Sequence, residues 1–492
     1  MHVGIGNMYL TPVEILLYHL LKARGYQVDY CIYDSTIPIN EVITKSRLAT
    51  DSNHLFWRRS VRKAKIILSI CGVKYQFIRP KVDVRTHITK RLDESKTSPR
   101  NFVFDGVDFG SIVEGVMYRY YKSLSFGEDA PSVADRFLET SLTNYLFVRE
   151  KLQEQEYDYV LFSHGIYCTW EPVVELCRVN DIPFVCYDRA KMKNHCNFNL
   201  NRPSPDWDIS EAWERLSDYQ LSKIESSKVS KYLEERELQK GDVYAYNFTA
   251  KANNLTRLKA ELSIQPGSKV ITVFTNLIWD AANVSRDIAF ASPLDCIQQL
   301  IKRYENRNDI HILVRPHPAE VVLGTSERYE ELILDAFNRS LPNNVTIIGH
   351  ELTVNSFSVL DITDIGVIHT STVGLELALE DKPTILISET HYRGKGFTFD
   401  AESADDFFKT IEDLLLEKLS QPNRIALARK YFYLMMFEYQ HKMPTQYYSN
   451  GAFKGYTFST FDEYLKDSNQ SLSKIVDRIS DGKPFEDFIW KQ

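Results

Sequence analysis

The most constraining feature of the chain is a regular alternation of short apolar runs and helical patterns between residues 269 and 418. The apolar runs suit buried parallel strands, and the segments between them carry apolar residues at helical spacing. Predicted strands span 269–275, 310–314, 345–348, 365–368 and 384–387, and predicted helices span 292–305, 325–338, 355–361, 372–380 and 402–418. Strands that alternate with helices of this length favour a doubly wound parallel sheet, so this region is predicted to be α/β.

Polar residues follow the predicted strand 310–314. The segment Arg315–Pro318 contains two prolines, which fix φ and disfavour helix, so Arg315 and His317 are expected on an extended segment at the strand end. Because ligands bind beyond the carboxyl ends of parallel strands, this segment is a candidate for contact with an anionic ligand. The alternative for His317 is an ordinary core histidine whose ring is satisfied by backbone groups.

A second polar segment, His369-Thr370-Ser371-Thr372, follows the strand 365–368 and begins a helix. The start of a helix offers free N–H groups and a positive partial charge, which together favour an anion. Glu376 stands one turn into this helix and is placed to accept a hydrogen bond from a sugar hydroxyl. The two segments therefore predict a site for a nucleotide phosphate and its ribose. The alternative is that the hydroxyl residues are common helix caps and Glu376 a solvated side chain.

Three motifs in this region resemble a known family. RPHP (315–318), HTSTVGLELALEDKPT (369–384) and HYRGKGFTFD (391–400) resemble the bacterial capsule polysaccharide biosynthesis glycosyltransferases, which include the Kdo transferases of capsule export. The resemblance implies a GT-B fold, in which two Rossmann-like doubly wound domains face a cleft. It also implies that His317 and Ser371 or Thr372 bind the donor phosphate, that Glu376 binds the nucleoside, and that the loop at Asn276 borders the donor.

The segment 391–400 is predicted to lie at the same sheet edge as Ser371, because it follows the strand 384–387. Gly394 and Gly396 give the backbone freedom, and Arg393 and Lys395 bring positive charge toward the donor phosphate or an anionic sugar. The alternative is a flexible, solvated loop whose basic residues have no role.

The first half of the chain opens as a βαβ unit, with a helix over 12–24 and a strand over 27–33. Its Gly4-Ile5-Gly6 does not complete a dinucleotide fingerprint, because Tyr9 stands at the third glycine position. Further on, His164 follows a buried strand that ends near residue 162, and Asp188 follows the strand 184–187. The two side chains are predicted to share one sheet edge, and an inverting reaction would take its base from one of them.

Composition excludes several classes of protein. A net charge of −7 and a pI near 6.0 argue against a nucleic-acid partner. No apolar run of spanning length and no secretory signal pattern occur, and seven cysteines without a CxxC pair favour reduced thiols in the cytoplasm. No acidic pair stands in an evident metal-binding context, so no metal and no other cofactor is predicted. A predicted helix carries a basic cluster of Arg58, Arg59, Arg62, Lys63 and Lys65. This cluster is either a solvated face or a surface that contacts an anionic glycan, lipid or membrane.

The sequence thus predicts an acceptor domain over 1–245, a nucleotide-sugar donor domain over 246–440, and a helical tail over 441–492 that crosses back to the first domain. The predicted function is a cytoplasmic, metal-independent glycosyltransferase with Arg315 and His317 as catalytic groups. By resemblance, its donor is a CMP- or UDP-linked sugar. Its acceptor is a glycan or glycolipid, such as capsular polysaccharide or lipopolysaccharide, and peripheral contact with the inner membrane or the glycan assembly machinery goes with that role. Two alternatives stay open: a nucleotide-sugar 2-epimerase, and a non-catalytic nucleotide-sugar-binding component of glycan assembly.

Overall fold

The computed structural model describes residues 2–3, 10–34, 37–43, 45, 53–95, 98–237, 251–280, 283, 285–349, 354–448, 453–467, 470–483 and 485, with the backbone alone at 2–3, 53–57 and 93–95. The helices are α1 Thr11–Ala23, α2 Asn53–Ile70, α3 Val84–Ser95, α4 Phe109–Tyr121, α5 Ala130–Glu154, α6 Tyr167–Val179, α7 Ser210–Arg215, α8 Lys223–Glu237, α9 Leu255–Glu261, α10 Pro293–Tyr304, α11 Ala319–Val322, α12 Tyr329–Ala336, α13 Ser356–Ile362, α14 Val373–Leu379, α15 Ala404–Leu415, α16 Arg424–Tyr433, α17 Phe461–Lys466 and α18 Ser471–Asp481.

The strands are β1 His2–Val3, β2 Tyr30–Ile32, β3 Tyr75–Phe77, β4 Val103–Phe104, β5 Val107–Asp108, β6 Val160–Ser163, β7 Phe184–Arg189, β8 His195–Leu200, β9 Lys269–Phe274, β10 Ile310–Arg315, β11 Val345–Ile347, β12 Ile365–Ile368, β13 Thr384–Leu386, β14 Phe399–Asp400, β15 His441–Lys442, β16 Thr445–Tyr447 and β17 Phe453–Tyr456. They fall into two compact units. The first comprises 1–121, 126–212 and 436–492, and the second comprises 122–125 and 213–435.

The second unit contains a parallel sheet with the order β11-β10-β9-β12-β13-β14. Numbered within the unit, this is the order 3-2-1-4-5-6 of a Rossmann fold, whose strand order reverses between its first and fourth strands. Its apolar core joins the sheet to α10, α12 and α15, with members such as Ile301, Ile333 and Phe407 that are almost fully buried. The reversal places the ends of β9 and β12 side by side.

The first unit contains a seven-stranded sheet with the order β15-β8-β7-β6-β1-β2-β3. Five neighbouring strands of this sheet, β3, β2, β1, β6 and β7, are parallel. Strand β8 pairs with β7 in antiparallel fashion, and β15 pairs with β8 in the same way. One core cluster packs α1 against α18, with Leu16, Leu17, Leu472 and Ile475 fully buried. Residues 436–492 therefore complete the first unit.

The predicted pair of Rossmann-like doubly wound units is confirmed, and most predicted elements between 269 and 415 lie within three residues of their observed bounds. Residues 210–237 contain two helices, α7 and α8. The helices α3 and α4 and the antiparallel strands β8 and β15 were not predicted, because their patterns are short or mixed. The predicted boundary at 245/246 and the segment Gly4–Gly6 lie outside the described residues. All seven cysteines are free thiols.

Candidate functional site

The register of the second sheet aligns three strand ends. Arg315 pairs with Phe274, and Phe274 pairs with Ile368, so β10, β9 and β12 end on one row. His317, Asn276 and Thr370 each stand two residues beyond that row. Neighbouring strands lie about 4.8 Å apart, so the three strand ends that these residues follow span about 10 Å. We call His317, Asn276 and Thr370 the edge row.

Hydrogen bonds tie two members of the edge row together across the point where the strand order reverses. Asn276 Nδ2 donates to Thr370 Oγ1 at 3.0 Å, and Thr370 Oγ1 donates to Asn283 Oδ1 at 2.6 Å. Asn283 is itself held by the backbone, because its amide donates to the carbonyl of Leu277 at 3.1 Å. All three side chains are half-buried. The loop after β9 therefore presents fixed polar groups at the position where Rossmann folds bind ligands.

His317 is positioned as a neutral hydrogen-bond donor. Its Nδ1 accepts a hydrogen bond from the backbone N–H of Ala319 at 3.1 Å, so the ring proton of the neutral form lies on Nε2. Burial, with a smaller contribution from the charge of Arg315, lowers the pKa of His317 to about 4. At neutral pH the ring is therefore uncharged, with its proton on Nε2.

Arg315 is directed into the protein. Its Nη2 donates to the carbonyl of Val354 at 2.8 Å, and only 8% of the residue is exposed. Burial lowers its pKa to about 10, so it stays cationic at neutral pH. Its Nε is buried without a hydrogen-bond partner in the part of the chain that the structure describes. Arg315 thus contributes a fixed positive charge behind the edge row and does not present its guanidinium at the surface of the site.

The His369–Thr372 segment shapes the turn into α14. The His369 ring is buried and its Nε2 lies 2.8 Å from Asp287 Oδ1, which ties the end of β12 to the loop before α10. Ser371 Oγ accepts from the backbone N–H of Val373 at 3.3 Å, whereas Thr372 makes no side-chain cap bond. Because α14 has only seven residues and one of its first N–H groups is already capped, the anion site predicted here stays a prediction.

Glu376 is buried on α14 and forms an ion pair with Arg236 of α8, with 2.6 Å between Oε1 and Nη1. This contact explains how a carboxylate that is 7% exposed is accommodated in the second unit, since a buried charge requires a partner. A ribose hydroxyl would therefore have to share Glu376 with Arg236. The role of Glu376 in nucleoside binding stays a prediction.

We expect Glu376→Gln to weaken ribonucleotides about tenfold or more, because hydrogen bonds to a charged group contribute roughly 1.5–3 kcal/mol. Isothermal titration with ribonucleotides and with 2′,3′-dideoxy analogues measures the effect. Arg236→Gln is the matched control, since it breaks the same ion pair but keeps the carboxylate. Equal losses for ribo and dideoxy ligands in Glu376→Gln would show that the carboxylate does not bind the ribose.

The segment 391–400 reaches the same edge, as expected. Tyr392 is fully buried and its hydroxyl donates to the carbonyl of Ser371 at 2.5 Å. The guanidinium of Arg393 donates to the carbonyl of Ala401 at 2.9 Å and to Glu402 at 2.6 Å, and Lys395 is half-buried. Arg393 therefore holds the segment together, and donor contacts of Arg393 and Lys395 stay predictions.

In the first unit, His164 stands directly after β6, where Ser163 pairs with Tyr187 of β7. Asp188 is the next residue of β7, which continues to Arg189 and does not end at 187 as predicted, because its last residues pair with β8. His164 Nε2 lies 3.0 Å from Asp188 Oδ2. Burial raises the pKa of Asp188, and the neighbouring His164 opposes that rise. In the tautomer that carries its proton on Nε2, facing this carboxylate, the lone pair lies on Nδ1. The sequence prediction that these two side chains share one edge is thus met by a direct contact.

The turn that carries His164 is conformationally constrained. His164 and Tyr167 have φ values of +58° and +71°, and Gly165 has +85°. A Cβ on Gly165 would lie 2.7 Å from Cys186 Sγ and 2.9 Å from Pro203 Cα, so no side chain fits there. The His164 ring stacks on Trp170 with centroids 4.9 Å apart, and its Nδ1 has no hydrogen-bond partner among the described residues. Strained turns with an unpaired ring nitrogen are typical of functional positions.

Sequence reasoning missed Arg236, Asn283 and Asp287, which bond to predicted site residues. Each lies in a helix or loop without a motif, and each meets its partner only through the tertiary fold, so no local pattern could have identified them. Among the described residues, no group of three or more His, Cys, Asp or Glu side chains is arranged to hold a metal ion.

Comparisons with known proteins complete this description. Residues 202–437 match the family model described as capsule polysaccharide biosynthesis protein. No curated protein sequence matches the chain. Two solved KpsC structures of Thermosulfurimonas dismutans are each 12% identical. The beta Kdo 2,4 transferase has a TM-score of 0.39, and the match covers 63% of this chain and 86% of that chain. The beta Kdo 2,7 transferase has a TM-score of 0.36, and the match covers 72% of this chain and 92% of that chain.

A UDP-GlcNAc 2-epimerase from Neisseria meningitidis, solved with UDP-GlcNAc, is also 12% identical, with a TM-score of 0.25 over 87% of this chain and 96% of that chain. These scores are too low to transfer a residue role or an activity. The family model, by contrast, covers the edge row, α14 and the segment 391–400. Residues 202–437, just under half of the chain, are therefore similar to the capsule polysaccharide biosynthesis protein family, the family that the motifs at 315–318 and 369–384 resemble.

Proposed function

We propose that the protein is a glycosyltransferase of capsular polysaccharide assembly, which moves a sugar from a CMP- or UDP-linked donor to a glycan or glycolipid acceptor. The observation that carries the proposal is the edge row, a set of fixed polar groups at the strand-order reversal of a Rossmann unit. Open parallel sheets bind nucleotides at this position. The family match covers the same residues.

In the proposed reaction, an acceptor hydroxyl oxygen attacks the anomeric carbon of the donor. The bond from that carbon to the phosphate oxygen breaks, and its electron pair goes to the phosphate. Nε2–H of His317 stabilises the charge that develops there, and the fixed charge of Arg315 supports it from behind. The acceptor proton goes to Nδ1 of His164, and Asp188 stabilises the imidazolium that forms.

Growing surface glycans are commonly carried on lipids, so we also propose that the first unit contacts the inner membrane peripherally. Among the described residues, no helix is both long and apolar enough to cross a bilayer. Charge and exposed apolar residues on α2 support a peripheral contact.

We expect cytidine or uridine nucleotides to raise the melting temperature of the protein in a thermal-shift screen, because a ligand that binds the native state stabilises it. Asn276→Ala should weaken the best nucleotide by about tenfold or more, since a phosphate would share the Asn276 amide that donates to Thr370 and Asn283, and that charged hydrogen bond would be lost. Ser268→Ala, at the opposite end of β9, is the control and should leave the affinity unchanged. Unchanged affinity in Asn276→Ala would contradict the donor site.

Turnover separates the three functions that the sequence leaves open. A transferase consumes donor in proportion to added acceptor, and donor with water alone gives only slow hydrolysis. A 2-epimerase converts its nucleotide sugar without any acceptor. A binding component shows the thermal shift but no chemistry in either assay. Mass spectrometry of donor and product distinguishes these outcomes.

A further inference from the structure

One face of α2 is exposed and strongly basic. The side chains of this face, which we call the α2 face, are Arg58, Arg59, Arg62, Lys63, Lys65, Ile66, Ser69 and Ile70, all of them exposed. None of its five basic residues forms an ion pair with an acidic residue in the part of the chain that the structure describes. The opposite side of the helix is anchored by Val61 and Leu68, which are 8% and 0% exposed.

Two large apolar side chains lie on this face. Ile66 is 50% exposed and Ile70 is 79% exposed. At 100° per residue, Ile66 and Ile70 are about 40° apart and are flanked by Arg62 on one side and Lys63 on the other. An exposed isoleucine pair at i, i+4 inside a basic rim has the pattern of a helix that lies on a membrane surface.

The charge extends beyond α2. Residues 58–91 contain eleven Lys and Arg and one acidic residue, Asp83, a net charge of +10 in a chain whose total is −7. The Phe77 ring connects the two parts, because Lys65 Nζ lies 5.7 Å and Arg79 Cζ lies 5.1 Å from its centroid. Outside α2, Arg79 and Lys81 form ion pairs with Asp34 and Glu154, so the charge of this segment is partly balanced there.

We propose that the α2 face binds an anionic phospholipid bilayer, with Ile66 and Ile70 inserted among the acyl chains and the basic rim against the phosphate headgroups. Charge alone would suit an anionic glycan equally well. A hydrated glycan, however, offers no apolar phase for Ile66 and Ile70, whereas the bilayer interface does. This inference deepens the proposed peripheral contact. It rests on the proposed function in one respect, which is that the lipid-carried acceptor lies at the membrane.

Flotation of the full chain with vesicles tests the proposal without donor or acceptor. We expect binding to phosphatidylcholine vesicles that contain 30% phosphatidylglycerol and none to phosphatidylcholine alone. Each basic residue near an anionic surface contributes about fivefold in affinity, so R59Q/R62Q/K63Q should bind at least tenfold and up to about 100-fold more weakly. The control K302Q/K409Q/K418Q removes three exposed charges from the second unit and should bind normally.

The double variant I66S/I70S distinguishes binding to a lipid surface from binding to a glycan. This variant should bind vesicles at least tenfold more weakly but should keep any binding to heparin, a polyanionic probe without an apolar phase. Equal binding to neutral and anionic vesicles, no vesicle binding, or vesicle binding that the serine pair leaves unchanged would overturn the proposal. Since the assay contains no nucleotide, its failure leaves the donor site untouched, and loss of nucleotide binding leaves this result untouched.

Discussion

His317→Ala is expected to lower kcat by about 10²–10³ at saturating donor, because it removes a fixed donor from the point where the phosphate gains charge. The neutral Nε2–H of His317 is already oriented by the Ala319 N–H on the other side of the ring. No reorganisation is therefore needed when the sugar–phosphate bond breaks. Steady-state kinetics with saturating acceptor measures the effect.

Two substitutions distinguish the roles of the two ring nitrogens of His317. His317→Gln places an amide N–H near the position of Nε2 and should recover a large part of kcat. His317→Asn places its oxygen near the position of Nδ1, so it keeps the contact to Ala319 but offers no donor to the phosphate, and it should stay as slow as His317→Ala. If both amides are equally active, or if only KM changes in His317→Ala, the side chain binds donor uniformly and does not act on the transition state.

The edge row shows which features of the site can be predicted from the sequence alone. The alternation of strands and helices predicted that residues 276, 317 and 370 follow strand ends, since apolar run length and helical spacing are local properties. It did not predict that β9 stands between β10 and β12. That order follows from how the helices cover both sheet faces, and it is what brings Asn276 to Thr370.

Arg315 and Arg393 show what local patterns miss. Both were expected to face the donor because they are cations near strand ends. In the structure each donates to backbone carbonyls, of Val354 and of Ala401 respectively, because a chain that turns away from a sheet leaves carbonyls without partners. A long guanidinium can satisfy such a carbonyl several residues away in space, and no sequence spacing reveals which of the two uses it will have.

His164→Asn is expected to lower kcat by about 10²–10⁴, which is the contribution of a positioned general base. Asparagine is the suitable replacement because it tolerates the positive φ of 58° at this position better than alanine does. The substitution removes the ring nitrogen that would take the acceptor proton. Nucleotide affinity, measured by titration, should be unchanged, since the edge row belongs to the other unit.

Asp188→Asn tests the orientation of the His164 ring. The carboxylate lies 3.0 Å from Nε2 and fixes the proton there, so that Nδ1 keeps its lone pair. An amide at this position can also donate to Nε2, which moves the proton to Nδ1 and removes the base from part of the population. A variant with wild-type kcat would show that the pair only stabilises the fold, and the base would then have to be sought elsewhere along the same edge.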